Sequence, residues 1–323
     1  MFEIFACIYP YVYDLILIHP PSVLNFREKM DEFAPVSEMV PSTPIFEMFP
    51  IGFLSMMSNL CPSGYRVKVE NIAAEMLRNN GFNLERRIES LETSVFGIDL
   101  HWLPHVHGAI SIAKILKKIR PDVQVLMGGI SATYYRNEIM EKLPFVDAVM
   151  LGDTTEPFIS RYIDAVQGKG KMEDIPNLIW RENGRIRYNR VIPPEYYIDS
   201  VKLDYGIFLR NCIKEMEILP NIPYNDWIKS PTAMTFIQKG CHNNCLMCGG
   251  SNFSYKNFLG RRCVSLRPVK NVIDDLLSIQ ENLGVPVYIS GDIYQAGPKY
   301  RKELLRGIKE NGIDLPFLLE IFY

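Results

Sequence analysis

Thr235-Phe236-Ile237-Gln238-Lys239-Gly240-Cys241-His242-Asn243-Asn244-Cys245-Leu246-Met247-Cys248-Gly249-Gly250-Ser251 is the stretch on which the reading of this 323-residue chain turns. Its apolar, β-prone start predicts a short strand, and the glycines and asparagines after it predict a loop. The loop carries CxxxCxxC, with Cys241, Cys245 and Cys248 as candidate metal ligands. Three thiolates at this spacing can wrap one cluster and hold three irons of a [4Fe-4S] cube. Such cubes usually take four cysteines, so a three-cysteine loop implies one iron open to another ligand. Zinc is the competing metal, with His242 or Cys263 completing a tetrahedral set. His242 directly follows Cys241, which makes joint ligation awkward, and Cys263 lacks a C-x₂-C partner pair.

Downstream of the loop, Pro268 opens a helical pattern with Val272, Ile273, Leu276, Leu277 and Ile279, ended by Gly284. Val285–Ser290 reads as a second strand, followed by Gly291-Asp292. Tyr300–Lys309 reads as a helix and Pro316–Phe322 as a third strand, on which Glu320 is a candidate ligand contact. Upstream, residues 168–230 read as a connector. Asn177–Trp180 and Arg185–Asn189 flank an Asn183-Gly184 turn and predict a hairpin. Pro193-Pro194, Pro220 and Pro223 follow, mixed with Tyr196, Tyr197, Tyr224 and Trp227, a composition too aromatic for a flexible tether.

Residues 1–167 alternate apolar runs with helical patterns. Strands are predicted at Leu15–Ile18, Tyr65–Val69, Val95–Asp99, Val123–Met127 and Asp147–Leu151, with helices at about Pro50 to Leu60, Gly108–Ile119 and Glu156–Val166. Strands joined by helical crossovers imply a parallel, doubly wound, flavodoxin-like sheet, whose ligands sit beyond the carboxyl ends of the strands. Glycine and polar residues fall at those ends: Gly128-Gly129-Ile130-Ser131 and Gly152-Asp153 are candidate pocket-lining loops, and tight turns or helix caps are the plainer reading of both. No GxGxxG follows any strand, so a dinucleotide site is not supported. His101, His105 and His107 share one loop, but Pro104 breaks their helical spacing and no cysteine completes a ligand set. A solvated or pocket-lining loop is expected there.

Lys and Arg number 35 against 37 Asp and Glu, a net charge of −2, which lends no support to a nucleic-acid or anionic-membrane partner. No apolar stretch reaches the roughly 18 residues of a membrane span, and no signal peptide is evident. A cytoplasmic protein is the expectation. The odd count of seven cysteines argues against a disulfide framework. Cys7, Cys61 and Cys212 sit in apolar contexts and read as packing residues.

The cysteine segment resembles the signature of the radical SAM superfamily, in which CxxxCxxC follows the first strand of a partial (β/α) barrel. The resemblance implies that the open iron chelates S-adenosylmethionine (SAM). It implies that Met247, in place of the family's aromatic residue, packs near the adenine, and that Gly291 and Asp292 stand where a Gly-Gly-Glu-like motif receives the SAM amino group. With the first half included, the order resembles cobalamin (B12)-binding radical SAM proteins of an uncharacterised archaeal type. Gly128, Gly129, Ser131, Gly152 and Asp153 would then face the corrin. No Asp-x-His-x-x-Gly follows the first strand and His19 precedes two prolines, so a cobalt without a histidine ligand is implied.

The implied activity is reductive cleavage of SAM at a [4Fe-4S] cluster to start radical chemistry, with methyl transfer to a carbon of a small-molecule substrate and electrons from a flavodoxin or ferredoxin. Two other readings stand beside it. From Pro231 onward the chain is far shorter than the roughly 250 residues of a full (β/α)₈ barrel. A C-terminally truncated or split protein that binds cofactors without turnover is therefore expected as an alternative. An Fe-S electron carrier is the third.

Overall fold

The computed structural model describes residues 12–24, 50–221 and 227–321. Cys7, Pro223, Tyr224 and Phe322 lie outside them.

The N-terminal sheet is built on β1 (Leu15–His19), β2 (Val67–Asn71), β3 (Val95–Asp99), β4 (Gln124–Gly128) and β5 (Ala148–Met150), all parallel and ordered β2-β1-β3-β4-β5. This is the flavodoxin-like order. Strands covered on both faces read as near-continuous apolar runs, as Leu15–Ile18 does. The edge strand β2 departs from this with Lys68 and Glu70, which are buried as an ion pair at 3.4 Å. Leu15 and Leu17 point into one core, with α1 (Ile51–Leu60), while Ile16 and Ile18 point into the other, with α2 (Val106–Ile119). The second strand begins two residues later than its pattern suggests. The Tyr65 amide donates to the Leu60 carbonyl and its hydroxyl to Asp164, which holds the residue in the turn. The last helix of this half, α3 (Glu156–Val166), spans the residues expected of it.

The Asn183-Gly184 hairpin forms, as β6 (Leu178–Glu182) and β7 (Arg185–Tyr188), with both turn residues at positive φ (48° and 78°). It is not part of the connector. β6 pairs antiparallel with β5, Ala148 opposite Trp180, and extends the sheet to seven strands. The rest of the connector is more regular than its prolines suggested. Asp204 caps α4 (Tyr205–Lys214) by accepting the Ile207 amide at 3.0 Å, and Tyr205, Phe208 and Cys212 are buried.

The second sheet has three parallel strands in the order β8 (Ala233–Phe236), β9 (Val287–Ser290) and β10 (Phe317–Leu319). The cysteine loop follows β8 and contains the short helix α5 (Asn252–Phe258). Next come α6 (Val269–Asn282) and α7 (Pro298–Glu310). α4 packs against both α1 and α6. Through it one apolar core runs from Leu17 and Phe53 to Val272, Leu276 and Ile289. A buried ion pair, Arg267 to Asp275 at 2.7 Å, fastens α6 behind β8: Arg267 also donates to the Phe236 and Val201 carbonyls.

Candidate functional site

Two loops meet where the sheets adjoin. The first, after β5, runs through Gly152-Asp153-Thr154-Thr155-Glu156. The second starts at the ribbon in which Gln238–Lys239 pairs with Ser265–Leu266, and that ribbon encloses the cysteine loop. Arg261, fully buried, makes a bidentate pair with Asp153: Nε to Oδ2 at 2.7 Å and Nη2 to Oδ1 at 2.8 Å. Its other donors reach the Thr154 and Ser265 hydroxyls at 3.1 and 2.7 Å. Lys239 Nζ donates to the Asp153 carbonyl and lies 3.8 Å from Glu156 Oε1, which accepts from Ser55 Oγ at 2.8 Å. Burial alone would push the Asp153 carboxyl up, but the Arg261 hydrogen bonds and the Lys239 and Arg261 charges hold it below the usual carboxylate range. A second contact reaches the cysteine loop from the turn after β4: the Tyr134 and Phe258 rings meet edge to face at 4.6 Å.

The three cysteines are carried outward on this base. Gly240, at φ +91°, turns the chain into Cys241, and a Cβ there would stand 3.0 Å from Arg261 Cδ. Cys245 and Cys248 are exposed and Cys241 half-buried. Leu246 and Met247, at 96% and 95%, are almost wholly in solvent. Cys61 and Cys212 differ in kind. Burial pushes both thiols up, Cys212 to about 12, and such cysteines are inert.

Register brings the third strand to the loop after the second. Glu320 Oε2 accepts from Ser290 Oγ at 3.1 Å and from the Gly291 amide at 2.8 Å. Gly291, at φ +100°, lies so close to Ile237 and Gln238 that a Cβ would come within 2.9 Å of both side chains. Asp292 is fully buried, and its Oδ1 accepts the Tyr294 and Gln295 amides at 2.7 and 3.1 Å.

The glycines after β4 divide by role. Gly129, at φ +109°, has the His101 and Leu100 backbone 2.7 Å from where its Cβ would be, whereas Gly128 faces open space. Ser131 Oγ donates to the His101 carbonyl at 2.9 Å. The histidine loop is only partly solvated. His101, Trp102 and Leu103 are exposed, but the turn at Pro104 sends His105 fully inward, where it meets His19 and Asp99. His19 Nδ1 lies 3.3 Å from Asp99 Oδ2. Burial would raise the Asp99 carboxyl, yet the His19 hydrogen bond and the neighbouring imidazoles hold it low. A hollow lined by Glu75, Arg78, Ile213, Met216, Ile218 and Leu219 lies elsewhere and includes none of the expected site residues.

Sequence reasoning missed Arg261, Lys239 and the His19–Asp99–His105 group. Their partners lie about 80 or more positions away, and no local spacing encodes them.

The chain joins a flavodoxin-like sheet, through bridged loops, to a cysteine-bearing parallel sheet, and it shares this fold with solved cobalamin-dependent S-adenosylmethionine radical enzymes. Residues 42–160 match the B12 binding domain family. The chain is similar to an uncharacterised methyltransferase of Pyrococcus horikoshii, 25% identical over 82% of this chain and 53% of that protein. It therefore spans about half the length of that relative. Among solved structures it resembles the radical S-adenosylmethionine methyltransferase TsrM from Kitasatospora setae, seen with cobalamin and a [4Fe-4S] cluster bound. The TM-score is 0.63 at 14% identity, over 94% of this chain and 54% of that one. It also resembles the cobalamin-dependent S-adenosylmethionine radical enzyme OxsB, with a TM-score of 0.61 at 11% identity, over 95% of this chain and 38% of that one. Among the described residues no helix is long and apolar enough to cross a membrane.

Proposed function

We propose that this chain binds cobalamin at the carboxyl edge of its N-terminal sheet and a [4Fe-4S] cluster with SAM at its cysteine loop, and that it serves methyl transfer to a carbon of a small molecule. The observation that carries the reading is the Arg261 and Lys239 bridge. It ties a loop of the B12 binding domain to the base of the three-cysteine loop.

The residues fit these groups. Cys241, Cys245 and Cys248 are soft donors on one exposed loop, suited to three irons. Gly128 presents bare backbone at the carboxyl end of β4, where a flat macrocycle could approach. When bound, the reduced cluster supplies the electron that splits SAM, and the corrin supplies the methyl group.

The protein supplies orientation. Met247 offers apolar surface to the adenine. Asp292 Oδ1 accepts two backbone amides and the Ser290 carbonyl accepts the Ile237 amide, so the Gly291 carbonyl is the backbone acceptor offered to the SAM ammonium. Glu320 pins that turn through Ser290 and the Gly291 amide. Asp153 does not face the corrin in this scheme: Arg261 holds it, and it acts as a positioning residue. The electron donor is a small flavodoxin- or ferredoxin-type protein.

Anaerobic reconstitution tests the reading. About four irons per chain are expected, the stoichiometry of a cubane, with the cluster lost in Cys245→Ser. Added SAM should change the EPR spectrum of the reduced cluster, and cobalamin should bind the chain. Zinc in place of iron, or no cobalamin binding, overturns the proposal. A cluster indifferent to SAM indicates an electron carrier. Binding without formation of 5′-deoxyadenosine indicates a cofactor-binding unit without turnover of its own.

A further inference from the structure

We propose that His19, Asp99 and His105 form a site for one divalent transition ion of the zinc class, distinct from the cysteine loop. The three side chains come from the ends of β1 and β3 and from the turn that opens α2. These strands are neighbours at the point where the sheet order reverses, β2-β1-β3, which is where doubly wound sheets place ligands. One donor atom from each residue lies within 4.8 Å of the other two, and all three residues are buried. His19 Nδ1 stands 3.3 Å from Asp99 Oδ2, so its N–H can hold that carboxylate oxygen while Nε2 is the nitrogen turned to the ion.

The group is chemically incomplete without an ion. His19 Nε2 has no hydrogen-bond partner among the described residues. Whichever tautomer the ring takes, one buried nitrogen is therefore unsatisfied. Among the described residues no lysine or arginine pairs with Asp99, whose Oδ1 accepts the His101 amide at 3.0 Å. A cation would balance a carboxylate that otherwise has only imidazoles for company. The His19 and His105 rings meet edge to face at 4.9 Å, a contact that disfavours two imidazolium charges and leaves lone pairs for coordination.

The surrounding backbone is set. Pro21, two residues after His19, presses its carbonyl on Gly108 so closely that a Cβ there would stand 1.9 Å away. The Leu24 amide donates to His107 Nδ1 at 3.1 Å. Two imidazoles and a carboxylate suit zinc and its neighbours in preference to calcium or magnesium.

The test uses the full chain carrying Cys241→Ser, Cys245→Ser and Cys248→Ser, so that no thiolate of the loop can hold the ion, and contains no cobalamin. Zinc is added, excess is removed by desalting, and retained metal is counted by mass spectrometry. About one zinc per chain is expected, and His19→Gln and His105→Gln should each weaken retention by about ten-fold or more, the scale of losing a metal-site residue. Circular dichroism of the metal-free variants reports whether they fold. A parallel titration with Co2+ leaves the site residues unaltered: intense ligand-field absorption, displaced by zinc, supports the site. No retained zinc, retention unchanged in both histidine variants, or only the weak spectrum of hydrated Co2+ overturns it.

Discussion

Arg261 is a residue whose value lies wholly in what it faces. Its guanidinium has no exposure, and its partner Asp153 is buried as well. Removing one member of such a pair strands the other as an unpaired buried charge, at a cost of about 3–5 kcal/mol. Arg261→Ala should lower unfolding free energy by that amount in urea titrations. Arg261→Lys should recover only part, because an ammonium cannot make the bidentate pair. The same carboxyl predicts a pH dependence. Its folded pKa lies below the unfolded value of about 3.9, so the unfolded state takes up protons first as pH falls. The bridge contributes fully above that value and fades as pH drops through the folded one. The stability gap between the native chain and Asp153→Asn should therefore be constant near neutrality and narrow below about pH 4. Thiol reactivity follows the same physics. Cys245, Cys248 and Cys263 should alkylate readily in the folded, metal-free chain, and buried Cys212 should label only on unfolding, as peptide mass mapping would show.

Among the elements, the turn after β4 separates two kinds of glycine. Gly129→Ala would place a Cβ against backbone at a positive φ. It should cost at least about 2 kcal/mol, from strain and overpacking together. Gly128→Ala meets nothing and should leave the melting temperature nearly unchanged while weakening cobalamin binding. Equal destabilisation by both would remove the case for an open cradle there. Much of this architecture was legible in the chain itself. Val95–Asp99 and Glu156–Val166 have the expected ends, because uninterrupted apolar runs and a Thr-Glu-Pro start leave little choice. The Asn183-Gly184 turn was equally plain, but which sheet its hairpin would join was not, since pairing with β5 depends on an edge over 25 residues away. α4 was hidden among prolines because its apolar face, Tyr205, Phe208 and Cys212, is defined only by what α1 and α6 present to it. The site divides the same way. A CxxxCxxC spacing is local and readable, whereas the Arg261–Asp153 bridge and the His19–Asp99–His105 group exist only after folding.

For the whole molecule, the continuous core through α4 has a mechanical meaning. Trp180 lies in the first sheet and Trp227 packs against the shared core, donating to the Thr232 carbonyl just before β8. Tryptophan fluorescence and far-UV circular dichroism should therefore report one coincident urea transition. Two separated transitions would mean that the halves are independent domains leaning on each other. Among the described residues, the strands of both large sheets pair with neighbouring strands and not with the cysteine loop, which projects Leu246 and Met247 into solvent. That projection orders events in the life of the chain. Small zinc-bound domains cannot fold until their metal arrives. Here the scaffold is expected to fold without metal and to present its thiols afterwards, so the metal-free chain should show the same far-UV circular dichroism as one carrying the proposed cluster.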